Sequence, residues 1–165
     1  MDAHLTTGAA HAQPPADLGR TFGVVFEHGE DFFATLLRFC AENEVSQAYL
    51  PGFLGAFINA SLVGTCEAQE DPVAPIWTRV ELEYVEAIGS GTIAVNPATG
   101  ELAPHVHVAT GMKRYAAAGY TSHLLAATVQ FVIELLVIEV TAPTMLRIPE
   151  PSRYDLPLLR FDPNS

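Results

Sequence analysis

The 165-residue sequence predicts an α+β fold with one main helix. Only one stretch carries a strong helical period, strand-like alternation dominates after it, and regular β-α-β alternation is absent. Apolar residues make up 49% of the chain and charged residues 16%, which indicates one domain with a substantial core. So few charged side chains leave limited polar cover for a monomer, and we therefore expect some apolar surface to be buried between subunits.

The first elements are a strand and the main helix. Residues 20–27 alternate as a strand does, and Glu30 and Asp31 then form an acidic helix start. The helix is predicted over residues 30–43, because apolar side chains recur there at helical spacing. These side chains are Phe32, Phe33, Leu36, Leu37, Phe39 and Cys40.

Strands and turns fill the rest of the globular region. A glycine-punctuated turn is predicted at residues 51–56 after a short apolar segment, and Asn96 to Gly100 is a strong turn signal. Residues 123–140 predict one long buried strand, or two strands with a bend, rather than a membrane helix, because three acidic or amide side chains interrupt them. The other expected segments are strands at 57–67, 77–88, 92–95 and 104–108, an acidic loop at 68–75, and a break at Ser90-Gly91.

The chain ends differ from this region in composition. We expect an irregular arm at residues 1–19 and the domain itself at residues 20–148. Residues 149–165 contain four prolines and are predicted to form a tail that wraps a surface or a neighbouring subunit. The arm lacks the basic start and continuous apolar stretch of a secretory signal, so we expect a cytoplasmic protein.

The charge balance excludes two classes of partner. Nineteen acidic residues face eight basic ones, giving a net charge of −11, and the basic residues are scattered. Nucleic-acid binding needs clustered cations that displace counterions from phosphates, and docking on an anionic membrane needs a similar patch. Direct binding to DNA, RNA or a membrane is therefore not expected.

The most informative motif is a set of three histidines. His105 and His107 alternate with Val106 in a strand pattern, so both point to one face about 6–7 Å apart at the backbone. His123 opens the next apolar strand and could supply a third ligand. Three imidazoles with an open fourth position are typical of catalytic zinc, and imidazole suits zinc, although another divalent metal is not excluded. The alternative is structural: core or interface imidazoles hydrogen-bonded to the backbone.

Two charged residues near apolar strands are further candidates. Glu134 could orient a histidine or act as a catalytic base, while an interface salt bridge or a solvent-facing position is the simpler interpretation. Arg147 could bind an anion, but we expect it to pair with an acidic neighbour. Of the remaining reactive side chains, the histidines are predicted to lie at the surface and the cysteines to be buried, reduced thiols. They are His4, His11, His28, Cys40 and Cys66.

Several short motifs in order resemble the plants-and-prokaryotes conserved (PPC) domain, in its stand-alone bacterial form without the DNA-reading AT-hook. The matching segments, within residues 20–147, are Gly29-Glu30-Asp31, Ala48 to Gly55-Ala56, Glu86 to Gly91, His105-Val106-His107, His123-Leu124 and Val132-Ile133-Glu134. Two features depart from the family pattern: Thr121-Ser122 replace a Gly-Gly pair, and residues 113–120 form a longer, alanine-rich connection.

The resemblance implies an antiparallel, barrel-like sheet with one helix, and a homotrimer. The same fold is similar to acetolactate decarboxylase, in which three histidines hold a zinc. Three functional interpretations remain open. The first is a trimer with a metal or small ligand on the three histidines. The second is a zinc-dependent lyase or hydrolase acting on a small carbonyl or carboxylate compound, and the third is an oligomerisation scaffold without chemistry.

Overall fold

The computed structural model describes residues 15–64, 79–112 and 118–162, which form a sheet-dominated α+β fold. These residues form seven strands and one α-helix, and the strands join one sheet. In order they are β1 (Asp17–Glu27), α1 (Phe32–Glu42), β2 (Ala48–Val63), β3 (Arg79–Val95), β4 (Leu102–Met112), β5 (Thr121–Ala142), β6 (Thr144–Glu150) and β7 (Leu156–Asp162).

Four strands close into a barrel-like ring. β2 pairs antiparallel with β3, β3 with β4, and β4 returns to β5, which is itself paired with β2. β5 is long enough to serve two purposes. Residues 121–123 close the ring against β4, and residues 132–142 carry β1 as an additional strand. The predicted antiparallel, barrel-like sheet with one helix is confirmed.

The predicted helix is confirmed, with bounds one or two residues inside those expected. Asp31 caps its first turn by accepting a hydrogen bond from the Ala34 amide at 2.8 Å, and Asn43 follows its last residue. Phe32 is fully buried and its ring contacts Phe26, Phe33, Phe53 and Phe57 at centroid distances of 5.2–5.8 Å. This aromatic cluster packs the helix against the sheet.

The predicted turn at residues 51–56 is wrong, because β2 runs through it. A register shift lies between Leu50 and Phe53, and such an irregularity lets Pro51 sit in a strand without disrupting a ladder hydrogen bond. The predicted break at Ser90-Gly91 is also wrong. A Cβ on Gly91 would meet the carbonyl oxygen of His105 at 2.4 Å, so glycine here permits close strand approach instead of a turn.

The long apolar segment forms the continuous strand β5, as predicted. Its bend is local: the register against β2 shifts around Phe131, which has a left-handed backbone with φ of 61°. Among the described residues, no helix is both long and apolar enough to cross a membrane. The predicted acidic loop at residues 68–75 lies outside the described residues.

The proline-rich end is ordered more regularly than the sequence predicts. β6 and β7 form an antiparallel hairpin joined by a short 3₁₀ turn at Pro151–Arg153, so residues 156–162 of the predicted tail form a strand. Gln47 fixes the start of this hairpin, because its amide donates to the Pro143 carbonyl at 3.1 Å and accepts from the Met145 amide at 2.7 Å. Of the predicted N-terminal arm, residues 17–19 belong to β1, and residues 1–14 lie outside the described residues.

Candidate three-histidine site

The three histidines meet where the barrel-like ring closes. His105 and His107 project from the outer side of β4, because the alternate residues Val106 and Val108 are buried in the core. His123 lies directly opposite His107 in the pairing of β4 with β5. The short ladder that closes the ring therefore brings the third histidine to the first two.

The imidazole rings form a compact cluster. The Nε2 atoms of His105 and His107 are 3.0 Å apart, and the His123 ring crosses the other two at centroid distances of 4.7 and 5.4 Å. One nitrogen from each ring lies within 4.8 Å of the others. In a tetrahedral zinc centre adjacent nitrogens are ~3.3 Å apart, so small side-chain rotations bring the set to ligand spacing.

The environment keeps at least two of these rings neutral at pH 7. Burial, with smaller contributions from the charges of Arg147, His123 and His107, lowers the pKa of His105 to about 4. Burial and the charges of His107 and Arg147 also lower the pKa of His123. Since only a neutral imidazole offers a lone pair to a cation, these rings are in the form that coordinates a metal.

The hydrogen bonding of the cluster is incomplete in a way that fits a cation. The Nδ1 atom of His123 is buried and has no hydrogen-bond partner, which is costly for a polar atom. The close approach of His105 and His107 also leaves their facing nitrogens sharing at most one proton. Three converging imidazoles with an unsatisfied buried nitrogen fit a divalent metal of the zinc type.

A cavity of about 640 Å³ opens beside the cluster. All three histidines line it, and most of the remaining wall is apolar, formed by residues that include Val63, Pro104, Leu125, Leu156 and Leu158. Leu156 and Leu158 belong to the C-terminal hairpin, which therefore helps to form the site. A small molecule could reach the imidazoles through this space.

Arg147 reaches the same place from β6. Its side chain borders the cavity with the histidines and also a second one of about 560 Å³ that His105 and His107 share with Thr92. The prediction that Arg147 pairs with an acidic neighbour is wrong. Within the described ranges, the guanidinium donates a hydrogen bond to the hydroxyl of Thr92, and no carboxylate forms an ion pair with the guanidinium. Burial lowers the pKa of Arg147. The sequence pointed to Arg147 through a lone charge on an apolar strand, whereas no feature of the sequence pointed to Thr92.

The other predicted candidates lie elsewhere. Glu134 is exposed on β5, eleven positions from His123, between Val25 of β1 and Leu54 of β2, so the structure does not bring it to the histidines. His28 is an exposed residue whose Nδ1 accepts a hydrogen bond from the Phe131 amide at 3.0 Å. Cys40 is buried as a free thiol, and burial raises its pKa to about 11, which makes it unreactive. His4, His11 and Cys66 lie outside the described residues.

The two departures from the family pattern also flank the site. The hydroxyl of Ser122 donates to the Val63 carbonyl, which ties β5 to β2 next to His123. Residues 113–117 of the longer connection lie outside the described residues.

Comparison with known proteins gives one family and a set of similar folds. The model of the Plants and Prokaryotes Conserved (PCC) domain, which is the PPC domain, matches residues 14–141. Among curated proteins, none matches the chain. A PPC protein of Pyrococcus horikoshii has a TM-score of 0.75 at 22% identity, covering 91% of this chain and 97% of its own.

Two further structures share the fold. A protein of Archaeoglobus fulgidus described as metal-containing has a TM-score of 0.71 at 20% identity, covering 88% of this chain and 96% of its own. A putative DNA-binding protein of Ralstonia eutropha has a TM-score of 0.70 at 18% identity, covering 85% and 90%. At these identities the likeness concerns the fold alone.

Acetolactate decarboxylase is a more distant relative in architecture. The enzyme from Bacillus subtilis subspecies spizizenii has a TM-score of 0.53 at 14% identity, with 84% of this chain and 60% of the enzyme covered. The predicted likeness to that fold is thus confirmed, while the enzyme has a large part that this chain does not match.

Proposed function

The chain belongs to the Plants and Prokaryotes Conserved (PCC) domain family, and on that premise we propose that it binds one divalent metal on His105, His107 and His123. The observation that carries the proposal is convergence: one nitrogen from each side chain lies within 4.8 Å of the other two. Zinc is the first candidate, because neutral imidazole suits it and, within the described part of the chain, no carboxylate or thiolate joins the cluster.

The function of the site is to bind a small molecule next to the metal. The three imidazoles hold the ion, and the apolar wall formed by residues such as Leu125 and Leu156 excludes water from one side of it. A divalent ion held in this way polarises a carbonyl group or lowers the pKa of a bound water. The cavity of about 640 Å³ leaves room for such a ligand.

We also propose that the chain forms a cytoplasmic homotrimer. Support comes from three exposed apolar side chains in one row across four paired strands: Val25 (55% exposed), Leu54 (54%) and Ile88 (64%), with Glu134 of β5 between the first two. Large apolar side chains exposed on neighbouring strands favour a surface that another subunit covers. Analytical ultracentrifugation should give three chains per particle for the native protein and smaller particles for Leu54→Arg. A monomeric native protein contradicts this part of the proposal.

A metal-dependent lyase or hydrolase is the second candidate function. The specific observation in its favour is the cavity bordered by both the histidines and a buried cation, Arg147, which is an arrangement that could bind and polarise a small carbonyl compound. Direct nucleic-acid binding is not part of the proposal, because the net charge is −11.

The test measures metal in protein purified without an affinity tag. Inductively coupled plasma mass spectrometry of the native protein should find about one ion per chain, as expected for a single three-histidine centre. The triple variant His105→Ala, His107→Ala, His123→Ala should hold none. His28→Ala is the matched control, since it removes an exposed histidine outside the cluster and should leave the metal content unchanged.

The outcomes separate the candidate functions. Equal metal content in the native protein and the triple variant refutes the metal site and favours the scaffold interpretation. If metal is bound, a panel of oxo-acids and esters distinguishes the two remaining functions: turnover that disappears in the triple variant supports catalysis, and its absence supports binding alone.

A further inference from the structure

Arg147 is buried without a counter-charge. Its side chain is 6% exposed, and the buried Nε atom has no hydrogen-bond partner. The guanidinium donates to the hydroxyl of Thr92, and no carboxylate of the described residues forms an ion pair with it. A buried cation with an unsatisfied donor and no counter-charge is unfavourable in the folded protein, so its position calls for an anionic partner beyond those that the described residues supply.

The unpaired cation faces usable space. Arg147 borders both cavities at the histidine cluster, and it shares this position with His105 and His107. Gln47 holds the start of β6 through two buried hydrogen bonds, so the backbone that carries Arg147 is fixed. A second cation on the larger cavity, Arg79, is exposed and already paired with Glu81, which leaves Arg147 as the cation there without a carboxylate partner among the described residues.

We propose that Arg147 is the anion-binding residue of this cavity and that it receives the carboxylate of a small monocarboxylic acid with a short apolar body. The planar guanidinium binds a carboxylate through two parallel hydrogen bonds. The inference rests on the proposed metal site only for the direction of the ligand, whose other end would lie towards the histidines. Anion binding by Arg147 does not require the metal.

Charge and lining favour a carboxylate over a phosphate. Of the two arginines that line the larger cavity, Arg79 is paired with Glu81, so Arg147 supplies the one guanidinium there without a carboxylate among the described residues. One cation matches a singly charged carboxylate better than a phosphate dianion. The largely apolar wall, including Val63, Leu125 and Leu158, fits a short aliphatic body better than a strongly hydrated phosphate.

Titration calorimetry on chelator-treated, metal-free protein tests the inference, with isobutyrate as the probe. Isobutyramide has nearly the same shape and no charge, and should bind at least about tenfold more weakly, because a charge-assisted pair of hydrogen bonds is lost. Arg147→Gln should weaken isobutyrate binding by a similar factor. The matched control is Arg153→Gln, which removes the same charge from an exposed site on the same hairpin and should bind as the native protein does.

Two further variants keep the test decisive if Arg147→Gln fails to fold. Thr92→Val keeps the side-chain shape but removes the hydroxyl that orients the guanidinium, and should weaken binding by a smaller factor than Arg147→Gln. Arg147→Lys keeps the charge without the fork and should also bind more weakly. Isobutyrate affinity that is unchanged in all folded Arg147 and Thr92 variants overturns the inference. Equal affinity for isobutyramide, or tighter Arg147-dependent binding of inorganic phosphate, overturns the assignment to a carboxylate.

Failure of this inference can be told apart from failure of the metal site. Arg147→Gln and Arg153→Gln should both retain the metal content of the native protein, because neither residue is a proposed ligand. A native protein that holds no metal but binds isobutyrate through Arg147 refutes the metal proposal and supports the anion site. A native protein that holds metal but shows no Arg147-dependent binding refutes the anion site alone.

Discussion

Two adjacent leucines on β5 provide a sensitive test of the register that builds the site. Leu124 is 1% exposed and belongs to the core, whereas Leu125 is 41% exposed and lines the cavity on the same side as His123. Strand alternation requires this difference, since neighbouring side chains point to opposite sides of a sheet. The same chemical change at the two positions should therefore have different effects on stability.

The expected free energies follow from burial. Leu124→Ala removes three buried carbons worth about 2.4 kcal/mol of transfer free energy, and the residual cavity raises the loss to roughly 3–4 kcal/mol. Leu125→Ala removes the same atoms from a side chain already 41% exposed at an open cavity. Its loss should be at most about 1.4 kcal/mol with no new cavity. The difference between the variants is then roughly 2 kcal/mol.

Urea unfolding followed by circular dichroism measures this difference. Protein concentration must be the same for all samples, and metal must be removed by a chelator, because oligomerisation and metal binding both shift apparent stability. The slope of the transition should not change between variants, so the midpoint reports stability directly. A difference below about 0.5 kcal/mol, or a larger loss for Leu125→Ala, would refute the register and with it the outward direction of His123.

Three other perturbations have defined outcomes. Asp31→Ala removes the carboxylate that caps the helix by accepting a hydrogen bond from the Ala34 amide, and should lower the free energy of unfolding by about 1 kcal/mol in a urea titration. Asp31→Asn should lower it much less, and equal losses contradict the capping role. Arg20, through its side chain and backbone amide, lowers the pKa of Glu139 from 4.5 to about 2. The pair therefore stabilises the fold above pH 4.5, and this contribution is lost as the pH falls towards 2. The difference in unfolding free energy between the native protein and Glu139→Gln should shrink over that pH range, and a constant difference contradicts the pairing. Chelation should lower the melting temperature of the native protein but not that of the triple histidine variant, as differential scanning calorimetry would show; equal shifts mean that the metal is held elsewhere.

The parts of the fold that depend on local sequence were predictable. Acidic residues at 30 and 31 followed by apolar side chains at helical spacing predicted α1, because capping and amphipathic periodicity are properties of a short segment. The length and apolar character of β5 were equally evident. Alternation also predicted that His105 and His107 share a face, since that follows from the geometry of any strand.

Other predictions failed where a residue type has two physical uses. Pro51 and the glycines after it were interpreted as a turn, yet the proline lies at a register irregularity inside β2. Gly91 was interpreted as a break, yet it allows close approach to the His105 carbonyl. The local sequence cannot distinguish these uses, because the neighbouring strand decides which of them applies.

The sequence by itself determined the helix, the long strand β5 and the common direction of His105 and His107, because each depends on contacts within a few residues. Only the tertiary structure decided that His123 faces His107, because that contact exists through the three-residue ladder that closes the ring. Tertiary structure also placed Arg147 beside the cluster with a threonine, rather than an acidic residue, as its partner. The strands that carry these groups are distant in sequence, and their pairing depends on the packing of the whole sheet.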